Sequence, residues 1–182
     1  MKDYLILVLG EKKDYPDFLQ AYDLTYEHNA FYDLLLDLNA QTISLASGIK
    51  HHYQSQDELK GLMEILFQKL QKLDFNPQTG AQMLGGSEKL FMLTLQRYLD
   101  NYEDLEAEMK NWLRYEDFAS IREAIHKIKG FSLYLGSSRL HDVGTLLEET
   151  LANGKHDYEG INYFLKLHRR ISKYCQEQVK NV

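Results

Sequence analysis

One histidine in the sequence has neighbours that suit an acceptor of phosphoryl groups. A projection of residues 118–136 at 100° per residue places His126 opposite an apolar stripe, so its imidazole is expected to face solvent. Arg122 and Lys129 lie within about one turn of it, and Gly130, one turn beyond, leaves space beside the ring. An imidazole near two cations and without a competing carboxylate partner is suited to attack phosphorus. On the pattern alone, the alternative is an idle surface histidine. The apolar stripe consists of Ile121, Ala124, Ile128, Phe131 and Leu135.

The helices that must position this histidine are predicted from caps and apolar spacing. Ser87 and Asp117 are candidate N-caps, and Gly136 stands where a helix-ending glycine belongs. Four helices joined by short loops predict an all-α fold, an antiparallel up-down four-helix bundle. We expect Trp112 and Phe131 to be largely buried in that bundle. The predicted helices lie near residues 87–113, 118–135, 138–152 and 158–178.

The first part of the chain has a weaker pattern. The chain is predicted to divide into residues 1–73, a mostly helical N-terminal extension packed on the bundle, and residues 74–182, the bundle itself. The apolar run Tyr4 to Leu9 fits either a strand or a buried helical turn. A degenerate second bundle is an alternative interpretation of the extension, suggested by a faint internal similarity around His51.

Composition and charge exclude several classes of protein. The 182 residues carry a net charge of −6 and one cysteine, Cys175, so neither a disulfide framework within the chain nor binding to nucleic acid is expected. No apolar run approaches the length of a membrane span. The chain has no glycine-rich nucleotide-binding loop, so it has no kinase ATP-binding module. We therefore expect a cytoplasmic protein that does not insert into membranes.

The residues around the histidine resemble a known family. The segment His126-Lys127-Ile128-Lys129-Gly130, followed by Leu135-Gly136, is similar to the signature of histidine-containing phosphotransfer (HPt) domains. The resemblance covers roughly Leu73 to Lys180. Further similar segments are Phe75-Asn76-Pro77, Leu84-Gly85-Gly86, Asp117-Phe118 and Leu146-Leu147-Glu148.

This resemblance implies a phosphorelay intermediate of two-component signalling. His126 would accept a phosphoryl group from the aspartate of a receiver domain and pass it to another receiver. Lys129 would compensate the charge of the phosphoryl oxygens, and Gly130 would keep the imidazole accessible. The chain would be a phosphocarrier rather than a conventional enzyme, with no cofactor or metal of its own, because the metal ion belongs to the receiver. The expected partners are response-regulator receiver domains, including that of a hybrid sensor kinase.

The docking surface is expected around His126, since a receiver must bring its aspartate to the ring. Arg122 and Leu133 share the predicted face of the histidine, and Tyr134 lies at its edge. The alternative function is a non-phosphorylated module that binds or sequesters a receiver or another signalling partner through the same face. A weaker alternative is a structural bundle whose N-terminal part drives oligomerisation.

The remaining histidines have simpler interpretations. A metal site built from His28, His51 and His52 lacks the spacing that ligands on one element require. His168 falls on the inward face of the last predicted helix, which indicates a core residue. His141 and His156 lie near predicted helix starts and are expected at the surface.

Overall fold

The computed structural model describes residues 4–9, 16–21, 23–25, 32–45 and 49–180. The chain folds as two units, residues 1–72 and residues 73–182. The first unit contains a five-stranded sheet and most of a long helix, and the second unit is helical.

The sheet of the first unit combines parallel and antiparallel pairs. Its spatial order is β2-β1-β3-β4-β5, with β1 parallel to both β2 and β3, while the later pairs are antiparallel. A short 3-10 helix, Asp17–Ala21, lies between β1 and β2 in the chain. The strands are β1 (Leu5–Leu9), β2 (Asp23–Thr25), β3 (Leu34–Asp37), β4 (Thr42–Leu45) and β5 (His51–His52).

One helix, α1 (Gln56–Asp74), covers the apolar side chains of this sheet. Leu59 and Met63, one turn apart on α1, are buried in the same core as Ile6 and Val8 of β1. Strand β1 lies inside the sheet and is apolar at every position, which suits a strand with neighbours on both edges.

The prediction of a mostly helical N-terminal part is therefore wrong for the described residues. Within the predicted helical extension, the segment Leu34–Asp37 is strand β3, and Tyr4 to Leu9 contains strand β1 rather than a helical turn. The alternative of a degenerate second bundle fails for the same reason, and His51 lies in a two-residue strand.

The second unit consists of helices whose starts are fixed by polar caps. The side chains of Asn76, Ser87, Asp117 and Ser137 each accept a hydrogen bond from a backbone N–H in the first turn of the helix that follows. Asp157 accepts one from Gly160 N–H at 2.8 Å, at the start of the last helix. The helices are α2 (Pro77–Met83), α3 (Glu88–Tyr102), α4 (Leu105–Arg114), α5 (Phe118–Ser132), α6 (Ser138–Ala152) and α7 (Tyr158–Lys180).

Most of the packed helix pairs in this unit are neighbours in the chain. Helix α5 packs against α4 and most extensively against α6, and α7 packs against α3 and α6. The mostly helical fold predicted for this part is confirmed, and α5, α6 and α7 each begin and end within three residues of the prediction. Within the described part of the chain, no helix has the length and apolar character that crossing a membrane requires.

Two details of the predicted bundle differ in the structure. The single helix expected over 87–113 is divided into α3 and α4, with a break at Glu103–Asp104. Trp112 and Phe131 are partly buried rather than largely buried. Phe131 contacts the rings of Tyr98 and Tyr102, and it also lines an open groove on the surface.

A buried charge cluster joins the start of the second unit to its last helices. Asp74 is fully buried, and its carboxylate lies 3.0 Å from Arg170 Nε on α7 and 3.5 Å from Arg139 Nη1 on α6. Arg139 also donates a hydrogen bond to the hydroxyl of Tyr163. A carboxylate without access to water requires such cationic partners, because an unpaired buried charge is strongly destabilising.

The turn between α5 and α6 passes close to the start of α2. Gly136 has φ +75°, and a Cβ there would lie 2.0 Å from the carbonyl oxygen of Asn76. The N–H of Asn76 donates to the carbonyl of Gly136 at 3.0 Å. Only glycine combines this backbone conformation with so close an approach, as expected for a glycine that ends a helix.

Candidate functional site

His126 lies on the exposed face of α5, opposite the residues that bury this helix. Ile121, Ile125 and Ile128 are fully buried, whereas the His126 side chain is 64% exposed. The cap at Asp117 starts the helix, and the spacing of the isoleucines sets its rotation. The predicted orientation of the histidine is therefore the observed one.

A carboxylate of the neighbouring helix contacts the imidazole. His126 Nδ1 lies 2.9 Å from Oε1 of Glu148 on α6, and Lys129 Nζ lies 2.6 Å from Oε2 of the same carboxylate. The Lys129 and Glu148 side chains are 23% and 26% exposed, so this arrangement is partly screened from water. The expectation that the imidazole has no carboxylate partner is wrong, because Glu148 reaches it from another helix, 22 residues along the chain.

The ionisation state of Glu148 determines which ring nitrogen of His126 carries the proton and which carries the lone pair. The hydrogen bond from Lys129 is the main cause that lowers the pKa of Glu148; burial opposes it, and the bond to His126 lowers the pKa further. An ionised carboxylate only accepts hydrogen bonds, so the proton of a neutral ring must lie on Nδ1. Nε2 then carries the lone pair and is the nucleophilic atom.

Gly130 leaves the solvent side of α5 open next to the histidine. A Cβ built at Gly130 would meet no heavy atom within 4 Å apart from its chain neighbours and the backbone of its own helix. No packing contact therefore requires a glycine in this last turn of α5, although glycine weakens a helix by about 1 kcal/mol relative to alanine. The surface at Gly130 is therefore open, and its role in keeping the imidazole accessible stays a prediction.

The predicted docking residues Arg122, Leu133 and Tyr134 are all exposed, and Arg122 and Tyr134 border two different hollows. Arg122 lines a hollow of about 570 Å³ together with His126 and Glu148. Gly130 and Tyr134 line a second one, a mainly apolar groove of about 550 Å³. Leu133 is 38% exposed and Tyr134 is 43% exposed. The other residues of the groove are Leu84, Thr94, Arg97, Tyr102, Lys127 and Phe131.

The other histidines do not form a second site among the residues described. His51 and His52 are adjacent on β5, and His28 lies outside the described residues. Over the described ranges, no group of three or more His, Cys, Asp or Glu side chains is arranged to bind a metal ion. His168 is 7% exposed, as predicted for a core residue, and burial lowers its pKa to about 4.

Glu148 is the site residue that the projection of α5 missed. Its contact with His126 depends on how α5 and α6 pack, which the periodicity of one helix does not contain. The resemblance of Leu146-Leu147-Glu148 to the family was the signal that pointed to this position.

Comparison with known protein families finds a match, and it lies within the helical unit. Residues 94–174 match the model of the Hpt domain family, and this segment contains His126, Lys129, Gly130 and Glu148. The helical unit therefore contains an Hpt domain within residues 94–174. Hpt domains take part in the phosphorelays of two-component signalling, where they interact with receiver domains. Comparisons with curated proteins and with solved structures gave no match.

Proposed function

We propose that this protein is a phosphorelay intermediate that accepts a phosphoryl group on His126 from a receiver aspartate and passes it to another receiver. The observation that carries the proposal is the exposed imidazole whose Nδ1 is bonded to Glu148. That bond leaves Nε2 directed away from the carboxylate, with its lone pair available to an incoming phosphoryl group. The proposed role is that of a phosphocarrier, with the metal ion of the reaction on the receiver.

The proposed step is an in-line displacement at phosphorus. The Nε2 lone pair of His126 attacks the aspartyl phosphate of the donor, and an N–P bond forms. The P–O bond to the aspartate breaks, and its electron pair leaves on the carboxylate. Nδ1 keeps its proton, so the phosphorylated ring is positively charged and faces the negative charge of Glu148. The reverse step delivers the phosphoryl group to the aspartate of the acceptor.

Lys129 has two proposed functions in this step. Its bond to Glu148 keeps that carboxylate ionised and in place, as the lowered pKa of Glu148 indicates. An ammonium has three N–H donors, so bonding to Glu148 leaves others for the phosphoryl oxygens. Lys129 thus supports the histidine through Glu148 and compensates the charge that arrives with the phosphoryl group.

We place the docking surface of the receiver around His126, on both hollows. Arg122 lines the first hollow and Tyr134 lines the second, while Leu133 is exposed directly after the end of α5. The apolar groove beside Gly130 adjoins the histidine within one turn, so a receiver whose aspartate reaches Nε2 would cover it. Exposed apolar surface of this kind is typical of a protein interface.

The domain organisation belongs to the same proposal. We interpret α3, α5, α6 and α7 as an antiparallel four-helix bundle that forms the phosphotransfer domain, and residues 1–72 as a separate unit. The compartment proposed for this role is the cytoplasm, where the receiver partners would be encountered.

The test is phosphoryl transfer from a panel of phosphorylated receiver domains, followed by mass mapping of the labelled residue. We expect label on His126 and its loss in His126→Gln. The exposed position of the side chain predicts a change of only about 0.5 kcal/mol or less in the free energy of unfolding. His141→Gln, a histidine on α6, is the matched control and should retain the label.

Two results would contradict the proposal. Label that remains in the His126→Gln variant, or that maps to His51, would refute the single acceptor. Receiver binding without any labelling of the parent protein would instead favour the alternative function, a module that sequesters its partner without accepting phosphate.

A further inference from the structure

A glycine on α6 lies directly against the lysine of the site. Gly144 is buried in the middle of the helix, where glycine is unfavourable by about 1 kcal/mol relative to alanine. A Cβ at this position would lie 3.2 Å from Cβ and 3.5 Å from Cγ of Lys129. It would also lie 3.5 Å from a ring carbon of Phe164 on α7. The stem of Lys129 therefore fills part of the space that a side chain at position 144 would need.

The two ends of Lys129 contact α6 one helical turn apart. The stem lies on Gly144, and the ammonium bonds to Glu148, four residues further along. Residues at this spacing share one face of a helix and are separated by about 6 Å along its axis. This span is comparable to an extended lysine side chain, so Lys129 lies along α6 from the glycine to the carboxylate.

We propose that Gly144 is a positioning residue, which seats the Lys129 stem so that its ammonium orients Glu148 against Nδ1 of His126. This inference rests on the proposed function, and Gly144 itself touches neither the imidazole nor the phosphoryl group. A side chain at position 144 would move the stem by a few tenths of an ångström, and the bond to Glu148 would lengthen or bend. The imidazole would then lose the partner that keeps its proton on Nδ1.

The competing explanation is that glycine serves only the close packing of α5, α6 and α7. Both explanations predict a tight contact, but they differ in what happens at the histidine. Packing alone would change the stability of the unit and leave the tautomer of His126 unaltered. A positioning role requires the tautomer and the transfer rate to change together, and only while Glu148 is present.

The experiment compares Gly144→Ala with Glu148→Ala and with the double variant. Nitrogen NMR of the His126 ring above pH 7.5 measures the fraction that carries its proton on Nδ1. We expect a high fraction in the parent protein and a lower one in both single variants. Transfer from a phosphorylated receiver should slow roughly three- to tenfold in Gly144→Ala, as expected for a displacement well below 1 Å. In the Glu148→Ala background the alanine at 144 should have no further effect on either quantity.

The control is Gly61→Ala on α1, where the added Cβ meets no heavy atom within 4 Å. This variant should leave both the tautomer and the rate unchanged. A folded Gly144→Ala protein with the parent tautomer and rate would overturn the inference, and so would an unfolded one, because glycine would then serve packing alone. Failure of the parent protein to accept phosphate would refute the proposed function instead, while the tautomer measurement would still test Gly144.

Discussion

Replacing Gly130 with glutamine should separate stability from phosphoryl transfer. Gly130 is one turn from His126, about 6 Å along the axis of α5, and its surroundings are open. A glutamine side chain therefore fits without a clash inside the protein. It extends over the mainly apolar groove that Gly130 lines with Tyr134, where the proposed receiver surface would lie.

The expected size of each effect follows from this geometry. Glutamine forms helix more readily than glycine, so the free energy of unfolding should rise by about 0.5 kcal/mol. For a unit of this size the melting temperature should rise by about 2 °C. Transfer should move in the opposite direction and slow at least about tenfold, because the side chain displaces the incoming phosphoryl group from its position in line with Nε2.

The assay measures thermal unfolding and the rate of transfer from one phosphorylated receiver on the same samples. Gly61→Gln is the matched control, since Gly61 is also an exposed helical glycine with open surroundings. The control should be as stable as the parent protein or more so, and should transfer at the parental rate. Transfer at the parental rate in Gly130→Gln would show that the receiver approaches from another direction. An unfolded Gly130→Gln protein would contradict the open surroundings on which the reasoning rests.

Three further outcomes are expected. Lys129→Ala should raise the pKa of Glu148 toward its usual value, because the hydrogen bond from Lys129 is the main cause that lowers it. The same variant should slow phosphoryl transfer. An unchanged titration of the Glu148 carboxyl group, measured by NMR, would refute this reasoning. The pKa of His168 is about 4 in the folded state and about 6.5 in the unfolded state. As the pH falls, the unfolded state therefore binds this proton before the folded state does. Stability should therefore decline by up to about 3 kcal/mol between pH 6.5 and 4, and a His168→Phe variant with the same decline in denaturant titrations would exclude this cause. Gly136→Ala should lower the free energy of unfolding by about 3 kcal/mol, because its Cβ meets the Asn76 carbonyl. Gly154→Ala, at φ +72° with open surroundings, should lower it by about 1 kcal/mol. Equal losses of stability in the two variants would contradict the close approach at Gly136.

The helices of the second unit could be predicted because capping residues in the local sequence mark where they start. Asp117, Ser137 and Asp157 are capping residues, and each caps the helix that the apolar spacing indicated. The break between α3 and α4 lacks such a signal. Asp104 makes no capping hydrogen bond through its side chain, and the apolar spacing continues across the break without a change of period.

The sheet of the first unit could not be predicted in the same way. Strand β3 is a run of three leucines and an aspartate, and so short an apolar run fits a strand or a helix equally well. Its pairing with β1 connects residues far apart in the chain, which local periodicity does not record. Glu148 was missed as a partner of His126 for a related reason, because the contact depends on the packing of two helices.

The buried cluster around Asp74 has a consequence for the order in which the helical unit forms. Asp74 precedes all the helices of that unit, whereas Arg170 belongs to the last one. While α7 is still inside the ribosome, the nascent chain contains the Asp74 carboxylate without the Arg170 guanidinium. If the carboxylate is already buried, the lack of this partner destabilises the fold by about 3–5 kcal/mol. The unit is therefore expected to close only after α7 has left the ribosome. A protease cut in the loop before α7 should in the same way unfold the whole unit rather than leave a smaller stable fragment.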